Sequence, residues 1–160
     1  MPIDEAILVQ YLRRSYHAVD GLWFMKVEAA TDFDRALEID QQVWEVLAKI
    51  QAREARRLLH MAGNTGAELS RCLKLKFGAD GHDFEIADLA DGVQVTIRDC
   101  RWAELLKKSH RSELAPRLAQ AICVTEGRVW CQEFGGGYKF EMPDMACCGA
   151  KQCVMRFLKK

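Results

Sequence analysis

The sequence predicts an α+β fold, with N-terminal helices packed on one face of a four-stranded antiparallel sheet made of two hairpins. Three observations predict it. Residues 4–77 show helical periodicity, two later pairs of segments alternate polar with apolar or β-branched residues, and a further helical stretch separates those pairs. Helices segregated from antiparallel strands are typical of α+β proteins. The 160 residues show no repeat or linker, so we expect a single domain, 1–160.

Three helices are expected before the sheet. Residues 4–30 place apolar side chains at helical spacing, although Gly21 marks a point where this helix could bend or break, with Asp20 as the cap of a second helical segment. Residues 31–61 predict a long second helix with Thr31 or Asp32 as its N-cap. Residues 65–77 predict a third helix.

The two hairpins are predicted from alternation and turn residues. We expect strands over 82–88 and 92–99 and, after helical segments beginning at 101 and spanning 112–134, strands over 137–142 and 152–158. Three glycines come after the helical segment 112–134 and precede a strand. A phosphate-binding loop has the opposite order, so we interpret these glycines as a helix cap and turn.

Composition excludes several classes of function. Lys plus Arg and Asp plus Glu both number 23, so net charge does not favour nonspecific binding to nucleic acid or an anionic membrane. The N-terminus lacks the features of a signal peptide, and no apolar run reaches the ~18 residues of a membrane helix. We therefore expect a cytoplasmic protein with reduced thiols, in which seven cysteines indicate metal binding, a nucleophile or burial.

Four segments resemble a known family: SYHAVDGLWFMKVE, ALEIDQQVWEVLAKIQAR, CRWAELL and GAKQCVMRF. They resemble an uncharacterised family of bacterial and archaeal cytosolic proteins. That family is similar to L-2-amino-thiazoline-4-carboxylic acid hydrolase and, more distantly, to the 4-vinyl reductase domain, mainly over residues 100–158. The latter resemblance implies a small-molecule-binding α+β fold, which in some bacterial phenol sensors carries a zinc held by cysteines and a carboxylate. The sequence shows neither the ATPase nor the DNA-binding domain of such a regulator, so we do not expect that role.

Four cysteines are candidate zinc ligands. A tetrahedral zinc needs four converging ligands, and the proposed set comes from a strand end, a helix and the last turn: Cys100, Cys123, Cys148 and Cys153. Glu126 or Glu141 is an alternative oxygen ligand. The competing interpretation is that these thiols are small buried hydrophobic groups, since free cysteine is among the most buried residue types.

Cys100 is also a candidate nucleophile. It directly precedes the predicted helix at 101, whose dipole would favour the thiolate. His17 is a partner only if tertiary packing brings it close. This pattern supports the hypothesis of a hydrolase acting on a small heterocycle or amide.

A ligand pocket is predicted between the helices and the sheet. Its walls would be Trp23 and Trp44. Four polar side chains would direct the ligand: His17, Asp20 and Glu28, which share one face of the first helix, and Asp40 on the next helix. The alternative is that the tryptophans are core and the charges are solvated or paired.

The sequence supports three functional hypotheses. The first is a small-molecule-binding domain, with a structural zinc as an optional addition. The second is the Cys100 hydrolase. The third is a homodimeric interaction module that packs its long amphipathic helices against a second copy.

Overall fold

The helices and strands occur in the predicted order. In a computed structural model, which describes residues 3–160, three helices precede the first hairpin: α1 (Glu5–Ala30), α2 (Phe33–Leu58) and α3 (Gly66–Asp80). The first hairpin, β1 (Asp83–Leu89) and β2 (Gly92–Asp99), is followed by helix α4 (Arg101–Lys108). The chain continues through α5 (Ala115–Leu118) and α6 (Val124–Glu133) to the second hairpin, β3 (Tyr138–Asp144) and β4 (Cys153–Lys159).

Side-chain caps fix where the long helices begin. Asp32 accepts a hydrogen bond from the Arg35 backbone N–H at 2.8 Å at the start of α2. At the start of α3, Thr65 and Glu68 form a capping box, in which each side chain accepts from the other residue's backbone N–H. Of the two predicted caps for α2, Asp32 is therefore correct, and Thr31 instead ends α1.

One prediction about the helices was wrong. Helix α1 runs without interruption through Gly21, so Asp20 lies inside the helix and caps nothing. The predicted helical stretch 112–134 is helical over 112–133, but it changes type along its length: a 3-10 turn (Ser112–Leu114), the short α5, a π-helical turn (Ala119–Cys123) and α6. Pro116 lies in the first turn of α5, where its missing N–H breaks no helical bond.

The four strands form one antiparallel sheet in the order β1-β2-β4-β3, which confirms the predicted sheet. In the centre, Val95 of β2 pairs with Ile86 on β1 and with Met155 on β4. The pairing of β3 with β4 shifts between Glu141 and Asp144. Proline has no N–H to donate to a ladder, and Pro143 lies within this irregularity.

The core lies between the sheet and helices α2, α3 and α6. Alternate residues of β2 point into it: Val93, Val95 and Ile97. On the helix side, α2 contributes a row of buried alanines, Ala48, Ala52 and Ala55. Large side chains of α3 and α6 and the residue after α6 complete the cluster: Leu73, Phe77, Trp130 and Phe134. Small residues on α2 allow its backbone to approach α6 closely. Among the helices of the described chain, none is both long and apolar enough to span a bilayer.

Candidate ligand-binding site

A cavity of about 380 Å³ lies beside the core, between α1, α2, α4, the segment 114–126 and the inner face of the sheet. Its lining is mainly apolar, and each surrounding element contributes. The sheet supplies Ile97, Met142 and Met155, while the π-helical turn supplies Ala119, Ile122 and Cys123. Protein cavities that bind small molecules have volumes of about 300 to 1,000 Å³ and a similar apolar lining with few polar groups.

Trp102 of α4 organises the aromatic part of the cavity. Its ring centroid lies 4.6 Å from that of His17 and 5.6 Å from that of Trp44, both in edge-to-face geometry. Tyr16 packs against Trp102 in the same way, at 5.9 Å. These contacts fix the positions of the rings from three different helices.

His17 presents a buried imidazole at the cavity wall. Its side chain is 7% exposed, and Nε2 has no hydrogen-bond partner within residues 3–160. Burial lowers the pKa of His17 below its ordinary value, with only partial opposition from Asp80. The ring is therefore neutral at pH 7, with one nitrogen able to donate and the other able to accept a hydrogen bond.

Asp20 of α1 and Asp40 of α2 place two carboxyl groups in the same cavity. Burial raises the pKa of Asp20 to about 6, and a hydrogen bond from the Trp44 side chain partly opposes that shift. Burial, followed by the charge of Asp20, raises the pKa of Asp40 to about 7. Among the described residues, neither carboxyl forms an ion pair.

A buried ionic cluster lies next to the cavity and shares Glu126 with it. The Nζ atom of Lys76 lies 2.8 Å from Oε1 of Glu126 and 3.0 Å from Oδ2 of Asp80. Burial alone would lower the pKa of Lys76, but the two carboxylates outweigh it and raise the pKa, so the ammonium stays protonated. Burial also raises the pKa of Glu126. One cation thus faces two acidic groups inside the protein.

Cys100 does not have the depressed pKa expected of a nucleophile at a helix start. It is the N-cap residue of α4, as predicted, and the backbone N–H groups of Trp102 and Ala103 act to lower its pKa. Burial is the larger effect, however, and the pKa of Cys100 is raised. His17 lines the same cavity, but its imidazole contacts Trp102 and Tyr16.

The four candidate zinc ligands differ in their surroundings. Cys100, Cys123 and Cys153 line the cavity, whereas Cys148 is exposed in the turn before β4. The Ala146 backbone N–H lies 3.3 Å from Sγ of Cys153 and donates to it. Within residues 3–160, no group of three or more His, Cys, Asp or Glu side chains is arranged to hold a metal ion. The described side chains therefore do not form a fitted metal centre, and zinc stays a prediction.

Of the six residues predicted to bind a ligand, four line the cavity: His17, Asp20, Asp40 and Trp44. Trp23 does not, because its side chain is 60% exposed on the outer side of α1. Glu28 is absent from the lining as well. Its Oε1 lies 2.6 Å from Nη2 of Arg111, and it is Arg111 that lines the cavity.

Sequence reasoning missed several lining residues. The amphipathic spacing of Trp102, Leu105 and Leu106 in α4 was a usable signal for one wall. No pattern indicated the π-helical turn, which contributes Ile122 and Cys123. Such turns occur frequently at functional sites.

Comparisons with known proteins identify a family and a similar structure for the chain. The sequence profile of a family of unknown function, DUF6125, matches residues 4–133. No protein of curated function has significant sequence similarity to the chain. The chain is similar in structure to the crystal structure of the phenol-responsive sensory domain of the transcription activator PoxR with phenol. The TM-score is 0.59 at 12% sequence identity, covering 89% of this chain and 73% of that chain.

These matches support only part of the predicted resemblance. A family of unknown function is found, together with a shared fold. Neither match names L-2-amino-thiazoline-4-carboxylic acid hydrolase or the 4-vinyl reductase domain.

Proposed function

Because the chain belongs to DUF6125, a family of unknown function, we propose its function from the geometry of the site: the protein binds a small, largely apolar ring compound. The observation that carries this proposal is the cavity of about 380 Å³ with aromatic walls and a single buried imidazole. Ligand pockets commonly combine an apolar lining with a few placed polar groups.

The volume sets the size of the ligand. An engineered apolar cavity of about 150 Å³ binds benzene, and this cavity is more than twice that size. A two-ring compound, or one ring with a short side chain, would therefore fill it. Burying the apolar surface of such a ligand supplies the main favourable free energy of binding.

His17 would set the orientation of the ligand in the cavity. An Nε2 atom buried without a partner costs free energy, which a hydroxyl or carbonyl on the ligand would recover through a hydrogen bond. The rings of Trp44 and Trp102 would hold the aromatic part of the ligand beside it. The structural neighbour is a phenol-responsive sensory domain whose crystal structure was determined with phenol. Phenol is a small aromatic compound with one hydroxyl.

Calorimetry with 2-naphthol tests the proposal. We expect saturable binding with one site per chain and a negative change in heat capacity. Replacing His17 by Phe keeps a ring in place and removes the nitrogen, so binding of 2-naphthol should weaken about tenfold while binding of naphthalene should not.

A tryptophan pair provides the matched control. Trp44→Phe should weaken 2-naphthol binding, because Trp44 is buried at the cavity wall, and Trp23→Phe should not, because Trp23 is exposed. Equal effects of the two substitutions, or no saturable binding to the wild type, would overturn the proposal.

Two finer hypotheses stay outside this proposal. Zinc bound by cysteines is tested by the metal content of the purified protein, and about one zinc per chain would support it. Hydrolysis through Cys100 receives no support from its raised pKa, and the reactivity of its thiol toward an alkylating reagent tests it.

A second function, self-association, is favoured by the outer face of α1. Four large apolar residues on this face are 45 to 67% exposed: Leu8, Leu12, Val19 and Leu22. Together with Ser15 at the centre, they follow the alternating four- and three-residue spacing of a coiled-coil seam. On the opposite side, Arg13 anchors α1 to α3 by donating to the Ala79 carbonyl at 2.8 Å and the Gly78 carbonyl at 2.9 Å. The seam is therefore exposed on the side of α1 away from α3, and its last residue, Leu22, also borders the cavity.

The occupant we propose for this seam is a second copy of the chain in antiparallel orientation. Asp4 and Glu5 lie at one end of the seam and Lys26 at the other, so antiparallel copies bring opposite charges together and parallel copies bring like charges together. Light scattering should give twice the chain mass for the wild type and a monomer for Leu12→Glu. Leu75→Glu, at an exposed leucine on α3, is the control and should remain dimeric. A wild type that is monomeric at 100 µM would exclude this interface.

A further inference from the structure

The Asp40 carboxyl group has no partner among the residues that the structure describes. Its residue is 7% exposed, it lines the cavity, and it makes no hydrogen bond or ion pair with any residue in the described range 3–160. Asp20 approaches the same cavity from α1. A buried carboxylate without a counter-charge is costly, so this pair of acids is a feature that packing alone does not account for.

The cationic side chains near the cavity either pair with other residues or do not act as a counter-charge for Asp20 and Asp40. Arg111 is paired with Glu28 at 2.6 Å, and Lys76 is paired with Asp80 and Glu126. Arg14 lines the cavity but is exposed, and it does not contribute to the pKa shift of Asp20 or Asp40. The missing counter-charge is therefore not supplied by the described part of the chain.

From this arrangement, and resting on the function proposed above, we propose that the ligand is an aromatic amine whose side-chain ammonium group pairs with Asp40 and Asp20. The ring lies against Trp44 and Trp102, and the ammonium group lies where α1 and α2 present their carboxylates. A primary ammonium has three donors, so it can hydrogen-bond to more than one carboxyl group.

Charge distinguishes this ligand from its neutral and acidic relatives. The titratable and charged groups around the cavity are Arg14, His17, Asp20, Asp40, Arg111 and Glu126, with the thiols of Cys100, Cys123, Cys147 and Cys153. His17 is neutral, and burial keeps the thiols protonated by raising their pKa. An acidic ligand would face the carboxyl groups of Asp20 and Asp40, whereas an ammonium would supply the counter-charge that these two groups lack.

Three indole compounds that differ only in their side chain test this inference by calorimetry at pH 7.5: tryptamine, tryptophol and indole-3-acetate. We expect tryptamine to bind at least about tenfold more tightly than tryptophol, and indole-3-acetate to bind most weakly, as the gain from a charged hydrogen bond implies. Asp40→Asn should remove the advantage of tryptamine and leave tryptophol binding within about threefold.

Two further variants keep the test decisive. Asp20→Asn removes the second carboxyl and should reduce the advantage of tryptamine even if Asp40→Asn does not fold. Asp88→Asn makes the same chemical change at an exposed position of β1 and should change nothing. If tryptophol binds as tightly as tryptamine, or if the Asp40 and Asp20 variants keep the preference, the amine inference fails while the proposed function stands. If neither the indoles nor 2-naphthol bind, both fail.

Discussion

Lys76 on α3 and Glu126 on α6 form a buried ion pair, 2.8 Å between Nζ and Oε1, which joins two helices beside the cavity. Asp80 holds the same ammonium at 3.0 Å. Lys76→Met would leave two acidic groups in the interior without their cation. We expect it to lower the free energy of unfolding by about 3 to 5 kcal/mol, measured by urea denaturation.

The control for this substitution lies two residues away on the same helix. Lys74 is exposed, so Lys74→Met should change the free energy of unfolding by no more than about 0.5 kcal/mol. A Lys76→Met protein as stable as the control would mean that the two carboxyl groups are protonated in the folded state.

Asp40 should make the stability of the protein depend on pH. Its folded pKa, about 7, lies above its ordinary value of 3.8, so the folded state binds the proton more tightly. The contribution is fully present below about pH 4 and is lost as pH rises through 7. Asp40→Asn does not titrate. The variant should therefore gain stability relative to wild type between pH 4 and 8, by up to about 4 kcal/mol.

Denaturation of both proteins in urea at pH 4.5, 6 and 8 measures this dependence. A stability difference that stays constant across the three values would show that Asp40 titrates normally when the protein is folded.

Gly127 allows α6 to pack on β3. A Cβ atom at this position would overlap the ring of Phe140. Although alanine favours a helix over glycine by about 1 kcal/mol, we expect Gly127→Ala to lower the free energy of unfolding by about 1 to 2 kcal/mol, because overpacking costs more. Gly78→Ala on α3 meets no atom within 4 Å and should instead be neutral or stabilising by up to about 1 kcal/mol. Stabilisation by both substitutions would contradict the packing described for α6.

The thiols should react in the order of their exposure. Cys148 is exposed, whereas Cys100 and Cys123 are half-buried at the cavity wall and have raised pKa values. We expect iodoacetamide to label Cys148 first and Cys100 much more slowly in the folded protein, as read by mass spectrometry. Faster labelling of Cys100 than of Cys148 in the folded protein would instead support the hydrolase hypothesis.

The fold was predictable because its signals are local. Alternation over 92–99 and 152–158 places Val95 and Met155 on the inner face, and the capping residue Asp32 fixes the start of α2. The continuity of α1 at Gly21 was not predictable. A glycine inside a helix costs only about 1 kcal/mol, and contacts with the rest of the protein can outweigh that cost.

The site was less predictable because it depends on tertiary placement. The helical face shared by His17 and Asp20 was visible in the sequence, but its partner Trp102 comes from a helix that lies beyond the first hairpin. Glu28 belongs to the predicted face and still reaches the cavity only through Arg111. Similarly, the position of Cys100 before α4 suggested a low pKa. Burial, which cannot be read from the sequence, raises the pKa of Cys100 instead.

The position of β4 in the sheet has a consequence for synthesis of the chain. Both β2 and β3 pair with β4. The first hairpin therefore cannot join the rest of the sheet until residues 153–159 have left the ribosome. At translation rates of about 5 to 20 residues per second, the edge of β2 stays unpaired for roughly 3 to 11 s before β4 is synthesised. Cys153 and Met155 also line the cavity. A nascent chain therefore leaves the backbone groups along the edge of β2 unpaired, and the cavity is completed only by the same strand that closes the sheet.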